Sequence, residues 1–196
     1  MKTTRAVELQ RQTAETKIDL TLGLDGSGAA EVSTGIGFFD HLLTSLTKHA
    51  RWDLRLSCRG DLEVDDHHSV EDCGLALGQA IDRILGERRG IARFAHAYAP
   101  LDEALVRSVI DLSGRGGAWV ELPIQRESIG TLSCENVPHF FRSLASTARL
   151  TLHLDLIRGE NAHHIAEAAF KSFALAIRQA TALDATAGMP STKGTL

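Results

Sequence analysis

Two short stretches carry the residues best able to do chemistry. They read HHSVED at 67–72 and HHIAEA at 163–168, and each opens an apolar pattern of helical spacing. Two adjacent histidines with a glutamate four residues after the first make a compact metal-ligand set. On a helix of about 3.6 residues per turn, His67 and Glu71 share one face, one turn apart. His68 is rotated by about 100° and aims at a different centre. The second copy repeats this, with His163 and Glu167 together and His164 turned aside. One copy offers ligands to two metals, and two copies complete a pair of sites.

Two further histidines join the frame. His41, in GIGFFDHLL, lies 26 residues before His67, and His139, in VPHFFRSL, lies 24 before His163. A lone histidine is usually a packed or surface residue, but here six of nine recur in register. Following the repeat, one metal takes His67, Glu71, His139 and His164. The other takes His163, Glu167, His41 and His68. Three imidazoles and a carboxylate leave positions open on an octahedral ion. Ligation this rich in imidazole would by itself suit zinc, iron or nickel.

The elements that must position these residues follow from periodicity. Residues 5–22 read as a strand, 25–28 (DGSG) as a turn and 29–35 as a short strand. Helical spacing runs over 38–49, alternation returns at 53–57, and the HHSVED helix continues to about Gly86. ERRG at 87–90 is short and polar, as a seam between compact units should be. Beyond it come strands on both sides of a bend at Pro100, a strand at 118–124 and a helix following His139. A strand at 151–156, the HHIAEA helix to about Thr181 and an unpatterned tail from Asp184 complete the chain.

An internal repeat unites these elements. With His41 set against His139, identities fall at Ser45/Ser143, Leu46/Leu144, Ala50/Ala148, Arg51/Arg149, Leu54/Leu152 and Leu56/Leu154. The HHxxE units coincide after a two-residue gap. The expected fold is α+β: two duplicated β-β-α-β-α half-domains in one compact domain, with helices packed between two outer sheets. The first half-repeat spans 1–88, and the second spans 89–196 with a C-terminal substrate-binding tail.

Totals narrow the function classes. A net charge of −4 argues against broad nucleic-acid binding, which needs a basic surface. Three cysteines without a CxxC pair read as reduced thiols, and so as a cytoplasmic protein. The first residues have no apolar core of a signal peptide, and no run of 18 apolar residues occurs, so no membrane partner is expected.

Taken together, GIGFFDHLL, HHSVED, PLDEAL, DLSGR, VPHFFRSL, HHIAEAAFKSF and the terminal STKG resemble the imidazoleglycerol-phosphate dehydratase family. These motifs span the chain from Glu15 to Gly194, so the histidinol-phosphatase domain of some relatives is not expected within it. Gly37 and Leu42 depart from the residues common in the family, and neither is a proposed ligand. The resemblance implies a duplicated α+β fold and two Mn²⁺ per subunit at subunit interfaces. It also implies a homo-oligomer, a 24-mer built from trimers. The implied reaction dehydrates D-erythro-imidazole-glycerol phosphate to imidazole-acetol phosphate in L-histidine biosynthesis. Two Lewis acids flanking one imidazole ring would stabilise its ionised form, unlike the ions about 3.5–4 Å apart in dimetal hydrolases. Glu15 matches a catalytic glutamate of the family, and the free oxygen of Glu167 could also move a proton. Arg93, Arg115, Lys171, Ser191 and Lys193 match its phosphate contacts, and His49 matches a position near the substrate. Asp102, with Glu103, could orient ligands or form a plain strand-edge ion pair. The rival readings are a non-catalytic His-rich metal-binding protein and a dimetal hydrolase.

Overall fold

In the strand β2 (Thr16–Gly23), Ile18, Leu20 and Leu22 alternate with Lys17, Asp19 and Thr21, so one face is buried and the other exposed. That alternation recurs in β4 (Asp53–Gly60) and β6 (Ala104–Asp111), and it builds sheets that must cover one face only. The chain is seen in a computed structural model that describes residues 5–184 together with 188, 190, 191 and 194.

The first sheet contains β1 (Ala6–Gln12), β2, β4 and β3 (Ala30–Ser33), in the order β1-β2-β4-β3, with β3 parallel to β4. The second contains β5 (Phe94–Leu101), β6, β10 (Thr151–Arg158) and β7 (Gly117–Glu121), in the order β5-β6-β10-β7, with β7 parallel to β10. The helices α1 (Gly37–Ala50) and α2 (His67–Leu85) belong to the first half, and α3 (Asn136–Thr147) and α4 (Ala162–Ala180) to the second. A small hairpin, β8 (Ser128–Ile129) with β9 (Leu132–Ser133), precedes α3.

The fold class is α+β, and the helices lie between the two sheets, α1 against α4 and α2 against α3. Phe39, Phe140, Phe141, Phe170 and Phe173 fill the middle layer. Phe39 meets Phe140 edge-on at 5.4 Å, and Phe140 stacks on Phe170 at 5.1 Å. Burying each such side chain is worth roughly 1.5–3 kcal/mol. Gly74 and Gly78 let α2 approach α3 closely, because a Cβ at Gly78 would collide with the Leu144 carbonyl and the Thr147 hydroxyl.

The repeat unit needs one correction: three strands of the four-stranded sheet precede the first helix of each half, so it is β-β-β-α-β-α, with the β8–β9 hairpin added before α3 in the second half. Residues 5–22 are a hairpin rather than one strand. The turn at 13–15 contains neither glycine nor proline. Instead the Thr13 hydroxyl accepts from the backbone N–H of Glu15 and Thr16, and the Thr13 N–H donates to the Thr16 carbonyl. Glu15 therefore stands on a turn, not on a strand. In the second half the chain bends after Pro100, at Asp102, which has φ 47°. Pro100 itself lies in β5, paired with Leu105 on an edge strand, where its missing N–H costs no ladder bond.

The duplication is visible in backbone detail. Arg51 and Arg149 both adopt left-handed φ, 55° and 51°, just past the ends of α1 and α3. Gly28 and Gly116, at corresponding strand approaches, lie against the backbones of Lys48 and Ser146.

Candidate metal centre

Helix starts hold the double histidines in place. The Asn161 side chain accepts from the N–H of His163 and His164 at 2.9 and 3.3 Å, capping α4. At α2, the His67 N–H donates to Asp65 at 2.8 Å. These contacts fix the first turn, from which His67 and Glu71, or His163 and Glu167, project together.

The fold then brings the halves to each other. His41 of α1 meets His163 and Glu167 of α4. Glu167 Oε2 lies 3.2 Å from His41 Nε2 and 3.3 Å from His163 Nε2. Phe38 packs on both imidazoles, with ring centroids at 6.0 and 4.7 Å. The other Glu167 oxygen takes Lys171 at 2.7 Å. Burial would raise the Glu167 carboxyl, but the Lys171 ammonium and the His41 ring outweigh it and hold the pKa at about 2. His49, also on α1, is lowered by burial first and then by Lys171 and Lys48.

His139 of α3 meets His67 and Glu71 of α2 in the same manner. His139 Nε2 lies 3.3 Å from Glu71 Oε1, and the His67 and His139 rings stack at 4.6 Å. His67 Nδ1 is 3.2 Å from the Asn136 side-chain oxygen. In each group the three ligand atoms lie within 4.8 Å of one another.

These residues fit a divalent metal. His139 Nε2 is buried and makes no hydrogen bond, since its approach to Glu71 has the distance but not the direction. An ion between the two would use that lone pair. Two imidazoles and a carboxylate form a donor set suited to a divalent transition metal.

His68 and His164 are turned away from both groups, each with a carboxylate on Nδ1. Asp61 holds His68 at 3.0 Å, and Glu103 holds His164 at 2.7 Å. These hydrogen bonds are the main cause of the raised pKa of each histidine. Each Nε2 has a second carboxylate farther off, Glu15 at 3.6 Å from His68 and Asp102 at 3.7 Å from His164. Thus three of the four ligands expected for each metal are assembled within the chain, and His68 and His164 stand apart.

The expected phosphate residues are engaged elsewhere. Arg93 pairs with Asp111 at 2.7 Å and donates to the Pro190 carbonyl. Lys171 is held by Glu167, and Arg115 is exposed on its turn, 3.4 Å from the Ser113 carbonyl. Of the described tail residues, Gly188 accepts from the Gly90 N–H at 3.1 Å and Ser191 accepts from Gly194. Lys193 lies outside the described residues. Sequence reasoning missed Asp61, Asn136 and Asn161, which hold ligands from loops and a helix end. An asparagine two residues before HH was the one local signal, as a helix N-cap.

Comparison with known proteins agrees with this geometry. The sequence profile described as imidazoleglycerol-phosphate dehydratase matches residues 34–177. A protein of that name from Phytophthora nicotianae is 55% identical over 98% of this chain, which spans 42% of that relative's length. Another, from Candida glabrata, is 50% identical and is matched over 98% of its length by 96% of this chain. The crystal structure of imidazoleglycerol-phosphate dehydratase from Staphylococcus aureus superposes with a TM-score of 0.82 at 35% identity, over 91% of this chain and 99% of that one. The Pyrococcus furiosus enzyme, solved with (S)-C348, gives 0.83 at 34%, over 96% and 100%.

Proposed function

This chain belongs to the imidazoleglycerol-phosphate dehydratase family, and from that premise we propose how its residues divide the work. The reaction removes water from D-erythro-imidazole-glycerol phosphate and gives imidazole-acetol phosphate, a step of L-histidine biosynthesis. The observation that carries the reading is the pair of His-His-Glu groups, each shared between the two halves. A divalent ion bound at each group supplies Lewis acidity to the nitrogens of an imidazole ring.

The chain's own residues do the rest. His41, His163 and Glu167 hold one ion, and His67, Glu71 and His139 the other. Lys171 and His41 keep Glu167 ionised for that role. Glu15 carries the proton lost from the carbon adjacent to the one that bears the departing hydroxyl, because its carboxylate is half exposed and near His68. Asp102 and His49 contact the substrate, and Arg93, Arg115, Lys171, Ser191 and Lys193 bind its phosphate.

Manganese, two ions per chain, follows from the family resemblance, as does a 24-mer built from trimers. The outward turn of His68 and His164 supports shared sites, because each then has a ligand to give to a neighbouring subunit. A cytoplasmic setting is supported by the three free cysteines. No helix among the described residues is long and apolar enough to cross a membrane.

The test is a turnover assay with imidazoleglycerol phosphate, run on metal-loaded protein and again after chelation. Ketone product should form, stop on chelation and return with Mn²⁺. Absent turnover by the loaded protein, or turnover indifferent to chelation, would overturn the reading.

A further inference from the structure

The duplication extends beyond the histidine frame and breaks at one point. β2 pairs with β4 as β6 pairs with β10, so Leu22 opposite Leu54 corresponds to Ile110 opposite Leu152. Carried through the hairpins, Gln12 opposite Lys17 corresponds to Pro100 opposite Leu105. That register sets Glu15 on the same turn position as Glu103. The two glutamates are repeat counterparts, and each lies beside the second histidine of its half, yet they meet it differently.

Glu103 is fixed at both oxygens. Its Oε2 takes His164 Nδ1 at 2.7 Å, and its Oε1 accepts from the N–H of Asn161 and Glu160 at 2.9 and 3.3 Å. Glu15 has a half-exposed side chain, and His68 Nε2 lies 3.6 Å away. The Nδ1 of His68 is already taken, by both oxygens of Asp61 at 3.0 and 3.2 Å. Asp61 comes from the loop 61–66 between β4 and α2, whereas the corresponding loop between β10 and α4 is only 159–161. The longer loop supplies the carboxylate on its histidine, whereas in the second half Glu103, from another turn, does so.

We propose that Asp61 is the positioning residue of His68, a task that Glu15 then does not have. Its counterpart Glu103 is spent as the clamp on His164. A carboxylate on Nδ1–H fixes the tautomer and ring angle and presents the Nε2 lone pair to a metal. The same position in two repeats is thus a clamp in one half and is relieved of that task in the other. This inference rests on reading His68 and His164 as ligands.

The experiment measures Mn²⁺ bound per assembled protein at limiting free metal, beside kcat and KM at limiting and saturating Mn²⁺. Asp61→Ala should bind Mn²⁺ about 10–100-fold more weakly, and saturating metal should restore kcat. Asp61→Asn, whose amide oxygen still accepts from Nδ1–H, should recover most of the affinity. Glu103→Ala should behave like Asp61→Ala. Glu15→Gln should keep native affinity, and added metal should not restore its kcat. Native affinity in Asp61→Ala overturns the proposal, as does a turnover deficit that saturating metal leaves in place. His68→Ala separates the two levels of the argument. If it binds Mn²⁺ like the native protein, the ligand reading fails and the proposal falls with it. If it loses Mn²⁺ while Asp61→Ala does not, only the role of Asp61 fails.

Discussion

A carboxylate beside a metal can hold the ion or move a proton, and what grips its oxygens decides between the two. Glu167 is gripped on both, by Lys171 on one and by His41 and His163 on the other. Glu15 is not held in that way. Glu167→Gln should therefore lose metal and turnover together. Glu15→Gln keeps shape and hydrogen bonding but removes the acidic group that the proposed proton transfer needs, so the metal content and substrate affinity of the native protein should remain. Its kcat should fall by roughly 10²–10⁴. Elemental analysis beside steady-state kinetics on both variants checks this, and metal loss in Glu15→Gln would make it a ligand. The double histidines and their glutamates stood out because spacing within a helix is local, and His41 and His139 because the repeat sets them in register; the structure gathers His41, His67, His139 and His163 around Glu167 and Glu71. Glu15 was legible only through the family resemblance, since an acidic residue on a polar turn carries no signal of its own. Asp61 and Asn136 reach their histidines through the loop path and the α2–α3 packing, which no spacing encodes.

At the scale of elements, periodicity located the helices within a few residues, because each buries a continuous apolar stripe. The Thr13–Glu15 turn escaped because a threonine hydroxyl, rather than glycine or proline, makes it. The correspondence of Glu15 with Glu103 escaped for a related reason: strand pairing preserves it, while the side chains around it have diverged. Two devices at this scale can be tested. Gly78→Ala should force α2 away from the Leu144 carbonyl and cost about 1–3 kcal/mol, read as a lower midpoint in denaturant with an unchanged slope. An unchanged midpoint would mean that α2 and α3 do not need this close approach. The tail is the second device, since Pro190 holds Arg93 and Gly188 holds Gly90. Truncation after Ala187 removes those contacts along with Ser191 and Lys193. KM should rise strongly while metal content stays the same. Native KM in the truncated protein would free the tail of any role in phosphate binding.

For the whole molecule, the decisive feature is that neither half builds a metal group alone, and that His68 and His164 lie outside both groups of their own chain. The packing of α1 on α4 and of α2 on α3 produces the first point: each lone histidine on α1 or α3 faces the double-histidine helix of the other half. The assembly itself was not legible in spacing or composition, because a chain's outward ligands do not say who receives them. If neighbouring subunits receive them, each ion binds the assembled state and not the separated one. Binding of that kind stabilises the assembly by about 2.7 kcal/mol per site when free metal is a hundredfold above Kd. Many sites per particle would make the effect steep. Chelation should therefore abolish turnover and shrink the particle together, with both returning when Mn²⁺ is added back. His68→Ala and His164→Ala should each fail to reassemble fully under the same metal concentration, although the fold of the single chain survives. Light scattering and size-exclusion chromatography, run beside the turnover assay on the same samples, read both quantities. A metal-free protein of undiminished size would show that the subunits hold together without the ions, and His68 and His164 would then need another role.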